Sequence, residues 1–112
     1  MRLLTSELEK RFAEIGSQEN VEDPIVVAKF FNPAGAGTWL GTEYDPKTGT
    51  FFGYVSIFGD WCDEWGYFSL DELAAFKGPL GIGIERDLYW EEKPFSQAKA
   101  ELYHSQGLPI PH

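Results

Sequence analysis

The sequence predicts an α+β fold, a short antiparallel sheet of about four strands with two or three flanking helices, and three observations carry that expectation. Residues 38–58 hold a hairpin pattern, two runs rich in β-branched and aromatic residues around the turn Asp45-Pro46-Lys47-Thr48-Gly49. Apolar residues recur at helical spacing near residues 6–15, 70–76 and 94–104. The strand candidates lie close together in the chain, whereas parallel pairs need long crossovers.

Residues 6–15 read as the first helix. Ser6 and Glu9 have capping-box spacing. Leu8, Phe12 and Ile15 share a face that Leu4 extends, and Gly16 stops the helix. A polar, acidic connector over 18–24 leads to a strand at 25–31, apolar on both faces except for Lys29, as in a central strand. The loop 32–37 precedes hairpin strands at 38–44 and 50–58. Alternation in the second places Phe52, Tyr54, Ser56 and Phe58 on one face and Phe51, Gly53, Val55 and Ile57 on the other. An acidic loop over 59–64 carries Trp61 and Cys62, and a fourth strand comes next at 65–68. Ser69 then caps a short helix with Leu70, Leu73 and Phe76 inward, which Gly78-Pro79 ends. Residues 85–90 read as a last strand or extended segment. Residues 94–104 read as a last helix with Phe95, Ala98 and Leu102 inward, and 105–112 as a loose tail. With no repeat and no linker, residues 1–112 form a single domain.

Composition narrows the function classes. Aromatic residues make up 16% of the chain, so rings contribute to the core as much as aliphatics do. Nine basic against eighteen acidic residues give a formal charge of −9, which disfavours direct binding to nucleic acid or anionic lipid. The same charge favours encounter with a basic protein surface. Cys62 is the single cysteine, no apolar run reaches the roughly 18 residues of a membrane span, and Met1 to Thr5 lack the form of a signal peptide. A cytoplasmic location is the expectation.

Candidate chemistry is sparse. The histidines, His104 and His112, lie near the C-terminus, and Cys62 is surrounded by Asp60, Asp63 and Glu64, which would raise its thiol pKa. The spacing of that acidic group fits neither a calcium loop nor a zinc knuckle, so a solvated loop is the simpler reading. Gly78-Pro79-Leu80-Gly81-Ile82-Gly83 lacks the Gly-Lys-Ser/Thr of a phosphate loop and reads as a turn. Thus no catalytic residue, metal ligand or cofactor is assigned. Glu43, inside a strand, is either on the solvent face or in a pocket, and Glu43, Tyr44 and Arg86 are the pocket candidates. Trp61, Asp63, Glu64, Trp65, Tyr89 and Trp90 are the interaction candidates, because exposed tryptophan and tyrosine favour binding hot spots. The competing reading places most of these rings in the core.

The run Gly66-Tyr67-Phe68-Ser69-Leu70-Asp71-Glu72-Leu73, with Gly78-Pro79-Leu80-Gly81 and Ile84 to Trp90, resembles a family of small uncharacterised bacterial proteins, a domain of unknown function. Lys29-Phe30-Phe31, Thr42 to Asp45 and Thr50 to Gly53 fit the same pattern, and the resemblance spans residues 3–94. It implies carriage on plasmids, phages and other mobile elements, and a cytoplasmic setting. It carries no activity or catalytic residue. Trp61, Cys62 and the portion after Pro94 depart from the pattern.

The function expected is that of a non-enzymatic acidic protein that binds another protein, host- or element-encoded. One alternative is mimicry of DNA by Asp60, Asp63, Glu64, Asp71, Glu72, Glu91 and Glu92 to block a nucleic-acid-handling defence protein. Others are a small enzyme or ligand-binding domain with a pocket near Glu43 and Arg86, and binding of single-stranded nucleic acid, which requires Lys29, Lys47, Lys77 and Arg86 to converge.

Overall fold

The computed structural model describes residues 1–57 and 62–107. Phe58, Gly59, Asp60, Trp61 and the tail residues 108–112, with the expectations placed on them, lie outside the described residues.

Helix α1 spans Ser6–Ile15, and its cap falls one residue earlier than the capping box predicts. Thr5 is extended and its Oγ1 accepts the Leu8 amide at 3.1 Å, satisfying a first-turn donor. Gly16 closes the helix with a positive φ of 68°, its amide donating to Phe12 O. The predicted strand at 25–31 is two strands: β1, Ile25–Val26, and β2, Ala28–Phe31. The break is at Val27, whose amide turns to Gly41 O at 2.9 Å.

Strands β3, Thr38–Asp45, and β4, Thr50–Ser56, form the predicted hairpin, and β5, Glu64–Ser69, comes after them. Helix α2, Leu70–Ala75, is capped by Ser69, whose Oγ accepts the Glu72 amide at 3.3 Å, as the spacing predicts. Of the predicted segment 85–90 only β6, Glu85–Arg86, pairs as a strand. The short β7, Lys93–Pro94, precedes helix α3, Phe95–Ser105. Pro94 offers α3 no side-chain cap, so Asp23 supplies one from the connector. Its Oδ1 accepts the Ser96 amide at 2.8 Å and its Oδ2 the Ser96 hydroxyl at 2.6 Å.

The architecture is α+β. A five-stranded antiparallel sheet has the order β5-β4-β3-β2-β6, and β1 pairs with β7 in a separate two-stranded ribbon. The sheet is larger than the four strands expected, because the chain returns from α2 to lay β6 beside β2. Helices cover both faces. On one, Phe12 of α1 and Leu73 of α2 pack with Phe30, Phe51 and Phe68. On the other, Ala98, Leu102 and Tyr103 of α3 pack with Leu40 and Tyr54.

A row of small residues, Ala28, Gly41, Gly53 and Gly66, crosses the first face. A methyl on Gly41 would lie 3.5 Å from the Phe12 ring, and one on Gly53 would lie 1.9 Å from Leu40 O. The lane therefore lets α1 approach the sheet, and at Gly53 the backbone admits no side chain.

Candidate functional site

Strand β3 carries a bulge between Gly41 and Glu43 that decides where the pocket candidates point. Up to Gly41 the strand alternates regularly, with Trp39 on the α1 face and Leu40 on the α3 face. The extra residue, Thr42, is buried, and its hydroxyl donates to Phe52 O at 3.1 Å. Beyond it the alternation is inverted. Tyr44 comes into register with Phe51 on the α1 face, with ring centroids 4.7 Å apart, and Glu43 stands opposite Phe52 on the α3 face. Burial pushes the Tyr44 hydroxyl above the usual phenol range, an effect that Glu9 adds to.

Glu43 and Arg86 are not neighbours. Arg86 is in register with Phe30 and, through it, with Trp39. That places it two strands over and four residues along from Glu43, roughly 15 Å at the backbone, and on the opposite face. Its guanidinium donates to Leu3 O at 3.2 Å and makes no ion pair with Glu85 or Asp87, the partners its flanking sequence offers. A fork-like carboxylate pair is made by Arg11, which holds Glu92 through Nε and Nη2 at 2.8 Å each and ties α1 to the segment before β7. Lys29 and Arg86 occupy opposite faces of the sheet, so these cations do not converge.

The interaction candidates separate into internal and exposed groups. Trp90 donates its indole N–H to Val26 O at 3.0 Å and stacks under Lys93, whose Nζ lies 4.4 Å from the ring centroid. It is a structural ring. Asp63 turns inward: its Oδ2 accepts from the Ser56 hydroxyl at 2.7 Å and from the Tyr103 hydroxyl. Tyr103 has one proton to give, and it goes to Asp63, so Tyr54 must donate across the 2.7 Å contact between the two tyrosine hydroxyls. Burial, reinforced by the hydrogen bond to Asp63, pushes the Tyr103 hydroxyl far above the usual phenol range. This chain of donors crosses the α3 face and secures the helix to the sheet.

Of the proposed mimicry carboxylates, Glu92 is paired with Arg11, Asp63 points inward, and Asp71 and Glu72 occupy the first turn of α2. Among the described residues no group of three or more His, Cys, Asp or Glu side chains is placed to hold a metal ion, and no helix is long and apolar enough to cross a membrane.

The outward-facing candidates lie on β5 and at Tyr89, which is 92% exposed. Among the described residues, strand β5 is the sheet's edge and pairs with β4 alone. The Leu70 amide donates to Gly49 O, which fixes the phase of the antiparallel ladder. Alternation then turns the N–H and C=O groups of Trp65 and Tyr67 away from β4, toward the open edge. Their side chains project on the α3 face: Trp65 packs against Phe95 at the start of α3, with ring centroids 4.5 Å apart, and is 38% exposed, while Tyr67 is 77% exposed. Phe52 lies between them and the sheet interior, nearly parallel to Trp65 at 5.8 Å and edge-on to Tyr67 at 5.0 Å. Glu64, also exposed, points to the other face.

These rings floor an open groove of about 450 Å³ whose opposite wall is the connector before β1. Gln18 folds that connector over the sheet. Its Nε2 donates to Ile25 O at 2.9 Å and Thr42 O at 2.8 Å, and its Oε1 accepts the Ile25 amide at 2.7 Å. Glu19, Glu22 and Glu43 therefore stand around Phe52, Trp65 and Tyr67. Sequence reasoning assigned Glu19 and Glu22 to a connector and no more. The one signal was their acidity next to a β-rich segment, and it does not reveal which way the connector folds.

Comparison with curated proteins finds no significant match, and comparison with solved structures finds none either. One family model matches residues 3–106, under the description "Protein of unknown function (DUF2958)". The match runs through α3, so the portion after Pro94 is not an addition to the shared region, as the sequence motifs had implied. Covering nearly the whole chain, it shows that the protein belongs to the DUF2958 family.

Proposed function

We propose that this domain is a non-enzymatic protein-interaction module that meets its partner, host- or element-encoded, along the β5 edge. One observation carries the reading: at the same edge Trp65 and Tyr67 present exposed rings and backbone groups that no strand among the described residues pairs. An extended segment can pair with those backbone groups while the rings contact its alternate side chains. The charge of −9 supports a basic protein partner over nucleic acid. The reading places the protein in the cytoplasm, in the mobile-element setting that its motifs imply.

Affinity capture from nuclease-treated bacterial extract, with partners identified by mass spectrometry, tests it. The comparison is with Tyr67→Pro, which deletes an outward N–H without removing a bond to β4. Tyr67→Ala guards against a folding defect in the proline variant. Partners retained by the parent and lost from both variants are expected. Equal retention by all three proteins would sink the proposal.

A further inference from the structure

The groove beside β5 adds a chemical preference to that edge, and this preference rests on reading β5 as a docking strand. We infer that the groove receives the lysine or arginine side chain of a basic, extended segment of a partner protein laid along β5. Its floor is aromatic, Phe52, Trp65 and Tyr67, and its rim carries Glu19, Glu22 and Glu43. No lysine or arginine lines it, and none of the three carboxylates makes an ion pair among the described residues.

Unbalanced negative charge over a low-dielectric floor concentrates an attractive field for a cation. The exposed Tyr67 ring adds attraction for the same kind of group. Elsewhere in the molecule this pairing is already made, where Lys93 sits over Trp90 with its amine bonded to Glu101 at 2.7 Å. An anionic occupant would meet three like charges. A wholly apolar one would strip water from three carboxylates and give nothing back. A strand added to β5 would run about 4.8 Å from it, so its side chains on the α3 face would stand beside Trp65 and Tyr67. A long cationic side chain from that position has the reach to meet the carboxylates across the groove.

Isothermal titration of the full chain with two blocked hexapeptides, alternating valine–arginine and alternating valine–glutamine, tests the inference. The arginine peptide is expected to bind at least about tenfold tighter than the glutamine peptide. Combining Glu19→Gln, Glu22→Gln and Glu43→Gln should abolish that preference. Combining Glu7→Gln, Glu72→Gln and Glu91→Gln, which removes as much charge elsewhere, should preserve it. Circular dichroism checks that both variants fold. Equal binding of the two peptides to the parent would overturn the cationic preference and leave the docking edge standing. Loss of preference in both triple variants would overturn it too, since net charge alone would then explain the binding. If neither peptide binds, the inference and the edge reading fall together.

Discussion

The two faces of the sheet are closed by different chemistry. The α1 face is filled with rings: Phe51 touches Phe12, Phe30, Tyr44 and Phe68, and its exposure is 0%. The α3 face adds to its apolar cluster of Leu40, Ala98 and Leu102 a row of hydroxyls ending on Asp63, and it is closed over only part of its width. Beyond α3 it opens into the groove at β5. Apolar contact is non-directional and seals a surface, whereas a polar network fixes one helix in one place and leaves its surroundings free. The proposed docking edge lies on this open side, away from the sealed aromatic core.

The largest effect that would sharpen this contrast is Phe51→Ala. It removes the central ring of the sealed face and should cost about 3–5 kcal/mol in urea unfolding. A cost below about 1 kcal/mol would mean that the aromatic cluster does not hold the fold. Next is Tyr103→Phe, which takes away the proton given to Asp63 and the acceptor used by Tyr54. Loss of about 1–3 kcal/mol is expected, because buried polar groups are left without partners. A neutral result would show that α3 is held by packing alone.

Gln18→Ala should cost about 1–2 kcal/mol and speed hydrogen exchange at the Ile25 amide, which loses its acceptor. Unchanged exchange would mean that the groove wall is anchored by something else. The smallest effect is at Asp23, whose carboxyl is held below the ordinary value of 3.8, first by the Ser96 hydroxyl and then by the Ser96 amide. A carboxyl with a depressed folded pKa stabilises fully above its unfolded value and loses that contribution as pH falls through the folded one. The melting-temperature gap between the parent and Asp23→Ala should therefore hold from neutrality to about pH 5 and shrink below it. A gap that does not change with pH would refute the carboxylate's role in capping α3.

Much of the fold was legible because its signals are local. The Leu8-Phe12-Ile15 stripe, the turn from Asp45 to Gly49, the Ser69 cap and the alternation of Phe51 and Phe52 each depend on residues close in sequence. The misread parts depend on distant ones. The strand at 25–31 breaks because Val27 finds Gly41, and Arg86, expected in a pocket with Glu43, reaches Leu3 O on the opposite face. The candidate surface was half visible. Trp65 stood out as a tryptophan in an acidic stretch, while Trp90 and Asp63 looked the same in sequence and are used internally.

By itself the sequence determined the α+β class, the helices, the hairpin and the acidic charge, since hydrophobic period, turn chemistry and composition are properties of short windows. Tertiary structure alone decided which face Glu43 and Tyr44 occupy, because a single bulged residue inverts the alternation after it. It also decided that β5 is an open edge and that the Gln18 connector folds back beside it. Pairing partners and long-range hydrogen bonds are settled by the whole chain closing on itself, and no local window contains them.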